Sequence, residues 1–269
     1  MMEFILQEEA SFRMTFFVSV LAAMALWELA SPRRKRIYKR RERWIGNLAL
    51  IVVGTLFLRL FFPLLAVDIA YLAQARQGGI FNLANLPPAL EFLMAIVVLD
   101  FVVYWQHVVF HRIPILWKLH RVHHTDRDLD ATSALRFHPL EIGLSMIIKI
   151  FVVIILGASP LAVIVFEVIL NAMAMFNHGN VALPKKLDRT LRKVLVTPDM
   201  HRIHHSIEKQ EFNTNFGFNL SLWDRLFSSY TQDPEAGQTE MTLGQKDHLT
   251  HEPVSLFFML MLPFQKDDR

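Results

Sequence analysis

The chain has 269 residues, of which 53% are hydrophobic and 22 are phenylalanine, and it carries a net charge of +3. It contains no cysteine, which excludes a disulfide framework, an iron–sulfur cluster and thiolate-bound zinc; any metal here must be held by nitrogen and oxygen. So apolar a composition also argues against a purely soluble protein.

Residues 11–30 (SFRMTFFVSVLAAMALWELA) form an apolar run of membrane-spanning length, roughly 20 residues. Acidic Glu3, Glu8 and Glu9 precede it and a basic cluster follows, which is the reverse of a secretory signal peptide. Between Ser31 and Arg43 eight of thirteen residues are Lys or Arg. Apolar segments flank this run on both sides, so it reads as a juxtamembrane loop and not as a nucleic-acid-binding patch. Trp44 to Ala73 is apolar but interrupted by Arg59, Pro63 and Asp68. Arg59 either serves the interior or snorkels to an interface. After the polar loop Gln74–Asn85, Pro87-Pro88 opens a long run, Ala89 to Phe110, that carries Asp100 and ends at the first histidines. Residues 112–137 are polar and basic. The apolar runs Glu141–Ala158 and Leu161–Phe176 are parted by Gly157-Ala158-Ser159-Pro160, as a tight helical hairpin requires. From Asn177 the chain is mostly polar, up to a short apolar piece, Val254–Phe264. That piece is too short to span, and lies on the membrane surface or covers a cleft.

These segments predict an all-α, polytopic membrane bundle of about four spans, two of them the tight hairpin, with a histidine-rich helical cap. The positive-inside rule places loop 31–43 in the cytoplasm, because loop 74–86 has only Arg76. Alternation then brings the 89–110 helix inward and returns the hairpin to the same side. All the histidine clusters fall on that face, although the histidines played no part in the placement.

The stretch His107 to His124 (HVVFHRIPILWKLHRVHH) holds His107, His111, His120, His123 and His124, and the block His201, Arg202, Ile203, His204, His205 repeats the HxxHH spacing. On a helix, residues three and four apart share a face, so each cluster can aim two or three imidazoles at one point. Eight such nitrogens exceed what one ion takes, which favours two metal ions. Imidazole suits iron, copper, nickel and zinc, with iron leading. His138 and His178 stand at the same ends of the hairpin helices, where a ninth and tenth ligand can enter. His248 and His251 lack partner spacing and read as surface residues.

The pattern H-x3-H, H-x2-HH and H-x2-HH resembles the fatty acid hydroxylase/sterol desaturase superfamily of integral membrane di-iron oxidases. So do Trp117 to His124, Phe137-His138-Pro139-Leu140-Glu141, Asn177-His178-Gly179-Asn180, Asn215-Phe216-Gly217 and Trp223-Asp224-Arg225-Leu226-Phe227. The resemblance spans residues 95–230, and Phe227-Ser228-Ser229-Tyr230 departs from its usual Phe-Gly-Thr-Tyr. It implies two iron ions that activate O2 against an unactivated C–H bond of a lipid, giving hydroxylation, desaturation or ether-bond oxidation. It implies an external electron donor such as cytochrome b5, a ferredoxin or a reductase, since no flavin or nicotinamide motif appears. It also divides the chain into N-terminal helices and basic loop (1–86), a hydroxylase-like domain (87–231) and a polar tail (232–269).

A ligating histidine usually donates its second N–H to a carboxylate or carbonyl, for which Asp100, Asp126, Glu141, Asp199 and Asn180 are in range; Asp126 and Asp199 also suit helix capping. Trp105, Trp117 and Trp223 line a lipid path or anchor the interface. Two other functions compete. A zinc-dependent membrane hydrolase would need only three protein ligands and an open site, and HExxH is absent. A metal transporter would hold its ligands near the bilayer midplane, and a structural metal site would need fewer histidines. The arginine bias and small size lean toward a bacterial inner membrane, while an endoplasmic reticulum membrane would obey the same topology rule.

Overall fold

The computed structural model describes residues 2–249 and 254–266; among them the chain is helical, with three isolated β-bridges and no strand. His251 lies outside the described residues. After the short α1 (Met2–Gln7), the first apolar run becomes α2 (Glu9–Ala30). The basic loop leads into α3 (Arg40–Phe61), about 33 Å long at 1.5 Å per residue. The apolar run then breaks at Phe62-Pro63. Beyond the break come α4 (Ala66–Ala75), about 15 Å long and too short to cross, and the single turn α5 (Ile80–Leu83).

Proline opens each of the next four helices: α6 (Pro88–Arg112), α7 (Pro114–His124), α8 (Pro139–Leu156) and α9 (Pro160–His178). Its fixed φ suits the first helical position, and its missing N–H costs nothing there. Pro114 also keeps Ile113 out of the helical region, at φ −94° and ψ 118°. The chain therefore turns immediately after His111 and Arg112, and α7 doubles back along α6. The polar remainder carries α10 (Lys185–Leu191), α11 (Pro198–His204), α12 (Lys209–Phe212), α13 (Leu222–Leu226) and α14 (Leu256–Met261).

Among the described residues five helices, where about four spans were expected, have the length and apolarity to cross a membrane. Each arm of the hairpin is itself full length, at 18 and 19 residues. The helix α9 lies at the centre, with α2, α4, α6 and α11 packed on it. Exposed leucines and valines such as Val18, Leu26, Val52, Leu56, Leu60 and Leu93 cover the outer faces of the bundle, as lipid contact requires. Arg59 is exposed in the last turn of α3, where a long side chain reaches headgroup level. The chain is an integral membrane protein.

At the end remote from the histidines, Gly157 turns the hairpin in a left-handed conformation, φ +66°. A Cβ there would lie 2.2 Å from the Gly78 carbonyl oxygen, so glycine is required by both conformation and space. Asn82 ties the two loops by donating to the Gly78 and Gly157 carbonyls. At the histidine end, the basic loop is built into the cap. Arg43, fully buried, pairs with Asp126 and Asp130 and donates to Ser133. Arg33 pairs with Asp199, and Arg34 donates to the Gln238 and Met241 carbonyls. The apolar C-terminal piece packs on α3 and α7. Arg121 caps it by donating to the Leu262, Gln265 and Lys266 carbonyls, while Phe257 and Phe264 remain exposed.

Candidate metal centre

Nine of the ten histidines singled out from the sequence converge in two adjoining buried groups. His107, His111, His120, His124 and His204 form the first; His123, His178, His201 and His205 form the second. Within each group one ring nitrogen from every histidine lies within 4.8 Å of those of the others. The two groups touch, with the His124 and His205 rings stacked at 4.5 Å.

Helix geometry explains how the HxxHH motifs divide. At 3.6 residues per turn, positions i and i+4 stand about 40° apart, whereas i and i+3 stand about 60° apart on the other side. His120 and His124 thus face the first group and His123 the second. His201 and His205 face the second, and His204 crosses to the first. Each motif gives two ligands to one group and one to its neighbour. His107 and His111, again i and i+4 on α6, complete the first group. His178, the last residue of α9, completes the second.

Four imidazoles are oriented through Nδ1. His107 bonds the Phe216 carbonyl at 2.8 Å, His204 the Thr214 carbonyl at 2.8 Å, His178 the Ala174 carbonyl at 2.7 Å and His120 the Glu141 carboxylate at 2.6 Å. Facing a carbonyl, Nδ1 must carry the proton, which leaves Nε2 as a bare lone pair directed inward. The Nε2 atoms of His107, His120 and His204 are buried with no hydrogen-bond partner, as are both nitrogens of His205. Elsewhere Nε2 faces Nε2: His111 and His124 at 3.1 Å, His123 and His178 at 3.0 Å, His178 and His201 at 3.1 Å. Nitrogens at this spacing share either one proton or one cation. Two nitrogens each about 2.1 Å from one ion and at right angles are about 3.0 Å apart, so the donor set fits a metal ion in each group.

Burial drives the cap imidazoles to the neutral, ligating form. It pushes His120 down to about 3, and His123, His124, His201, His204 and His205 well below the ordinary histidine range, with mutual repulsion adding to the effect. Aromatic rings close the cage. Phe137 stacks on His123 at 4.5 Å, Trp117 lies 5.0 Å from His111, and Phe216 lies 5.1 Å from His111 and 5.5 Å from His204.

His138 stands apart from both groups. It is the N-cap of α8, where Nδ1 accepts from the Leu140 N–H and Nε2 faces the Leu260 carbonyl, so both nitrogens are engaged with backbone. His248 is half-buried, with its ring 5.6 Å from Phe258. Of the five residues expected to back a ligand, only Glu141 meets a histidine. Asp126 pairs with Arg43, Asp199 with Arg33 and Arg202, Asp100 accepts from Trp223 and Leu220, and Asn180 bonds Arg34. Burial raises Asp126, but Arg43 and Arg136 overcome it and hold the carboxyl down at about 2. Trp117 is buried against the cage, Trp105 is partly exposed, and Trp223 is tied to Asp100.

Asp224 has a role that spacing alone did not disclose. The Asp224 carboxylate accepts the N–H groups of Phe216 and Gly217, both at 2.8 Å, and the Ser229 hydroxyl at 2.6 Å. It thereby fixes the peptide whose carbonyl orients His107. Burial lifts this carboxyl to about 6, against those same hydrogen bonds. Ser228, at the site where the resembling pattern has glycine, is left-handed at φ +57°.

Comparison with known proteins places the chain in a family. The Fatty acid hydroxylase family model matches residues 92–229. Ornithine lipid hydroxylase OlsE of Rhizobium tropici is 27% identical over 239 residues, covering 86% of this chain and 70% of that one. Alkylglycerol monooxygenase of Homo sapiens is 27% identical, covering 68% of this chain and 39% of its own length. Delta(7)-sterol 5(6)-desaturase erg3B of Aspergillus fumigatus is also 27% identical, covering 62% and 50%. No solved structure matches the chain. The nine gathered histidines all lie inside the matched segment, and the chain belongs to the fatty acid hydroxylase family, within the fatty acid hydroxylase/sterol desaturase superfamily of membrane oxidoreductases.

Proposed function

We propose that the chain is an O2-dependent lipid oxidase in which the nine gathered histidines, five and four, hold two iron ions. The observation that carries this reading is the pair of buried imidazole cages, into which the Nε2 atoms of His107, His120, His204 and His205 point without a hydrogen-bond partner. Iron with O2 supplies the strong oxidant that an alkyl C–H bond demands and that side chains lack. The residues of the chain position and insulate. Glu141 and the carbonyls of Phe216, Thr214 and Ala174 fix the imidazole tautomers. The rings of Phe137, Trp117 and Phe216 keep water from the cages.

The substrate in this reading is a lipid, supported by relatives named for hydroxylation, monooxygenation and desaturation of lipids. Segment 87–231 is the catalytic part. Reducing equivalents come from a separate electron-transfer protein, a ferredoxin, cytochrome b5 or reductase. The cap faces the cytoplasm, in a bacterial inner membrane, a placement supported by the basic loop 31–43 that joins it. Purified, iron-loaded protein in lipid vesicles, given a reducing system, is expected to consume O2 and to yield lipid products gaining one oxygen or losing two hydrogens. His204→Ala is expected to abolish this, with membrane insertion unchanged. Equal turnover in the variant would defeat the reading.

A further inference from the structure

A shallow groove runs along the outer face of the bundle between α2 and α9, lined by Arg13, Phe17, Val20, Val168, Asn171 and Met175, among others. Two of its features are unusual for a surface that faces lipid. Asn171 is exposed near the middle of α9, where a polar amide in hydrocarbon is costly; its NH2 donates one bond back to the Glu167 carbonyl at 2.8 Å and has a second N–H to give. Arg13 stands at the same groove, about one-third exposed, held by Glu9 at 2.6 Å and by Glu167 at 2.7 Å. Lys149 adds a second cation to this partly exposed set by pairing with the buried Glu167. The set is balanced, two acids against two bases, so its remaining N–H donors suit a neutral oxygen acceptor better than an anion.

The other end of the groove leads toward the histidines. Phe17, Val20 and Met175 pack in one cluster with Phe218. The Phe218 ring lies 6.3 Å from His107, in the first histidine group, and 6.4 Å from His201, in the second. It is therefore the apolar side chain that meets both groups and the groove cluster at once. Met175, unbranched and with three rotatable bonds, is the sort of side chain that can yield to a passing chain.

We infer that the lipid enters through this α2–α9 groove, with a hydroxyl or a carbonyl oxygen seated on Asn171 and Arg13 and its alkyl portion directed past Met175 and Phe218 toward the two histidine groups. The inference rests on the lipid oxidase reading for its chemistry but not for its binding site, and the two can fail separately.

The absence of cysteine makes the test clean, because Ala172→Cys places the sole thiol in the groove lining. Leu56→Cys, on the exposed face of α3, is the control. Each purified variant is alkylated with a bulky maleimide. Lipid retained per chain is read by native mass spectrometry, and turnover and metal content are measured alongside. Modified Ala172→Cys is expected to lose a lipid that the unmodified protein retains and to drop turnover at least tenfold, with metal content unchanged. Modified Leu56→Cys is expected to keep both. Retention of that lipid after modification at Ala172→Cys overturns the groove, as does a mass showing a second copy of the chain there in its place. Loss of the bound lipid from a protein that never oxidises lipid would uphold the groove and count against the oxidase reading.

Discussion

At the scale of single residues, Ser228 shows what a family pattern encodes. The position adopts φ +57°, which a residue with a Cβ occupies at a cost of about 1 kcal/mol and glycine does not. Ser228→Gly is therefore expected to raise stability by about 1 kcal/mol, seen as a higher melting temperature in detergent, with Ser229 still bonded to Asp224. An unchanged or lower melting temperature would refute this. The histidines were legible from spacing because imidazoles three and four apart must share a helical face. The partition of each HxxHH between two groups was not, since it depends on which way α7 and α11 face one another. His138 was legible only as a histidine near the right end of a helix. Its engagement with the Leu140 N–H and the Leu260 carbonyl arises from capping and from the C-terminal segment, which spacing does not report.

At the scale of elements, the basic loop 31–43 was legible in one respect and hidden in another. Charge density marks it as juxtamembrane, and its position at the histidine end agrees. Composition gives no sign that Arg43 would be buried between Asp126 and Asp130, because those partners lie more than eighty residues away. The pairing joins α3 to the segment after His124 and so holds α7 in place. Arg43→Met leaves both carboxylates buried without their cation and is expected to cost about 3–5 kcal/mol. Thermal unfolding of the purified variant checks this; a loss under about 1 kcal/mol would mean the pair contributes no support. The proline that opens α7 was not read as a helix start, because it sits in a stretch marked only by its polarity, and its consequence is the turn at Ile113 that folds His120 and His124 back upon His107 and His111.

At the scale of the whole molecule, hydropathy and charge predicted helices arranged so that the histidines share one end, and five long helices with a buried cap realise it. The two arms of the hairpin are spans, as expected, and the run 44–73 is one span plus a short helix because Pro63 breaks it. The cap has a definite pH response. Burial holds His120, His123, His124, His201, His204 and His205 neutral in the fold, whereas the unfolded chain protonates them below about pH 6.5. The unfolded state then binds the extra protons, so the chelator-treated protein is expected to lose thermal stability as pH falls from about 7 to about 5. A melting temperature that rises over that range would contradict the neutral cage. The most direct test of the central claim is metal content per chain, by plasma mass spectrometry on protein purified in detergent and reconstituted anaerobically with ferrous iron. Two irons per chain, falling in His204→Ala, is the predicted result. A single ion, or none, retained after reconstitution would contradict the paired iron centre.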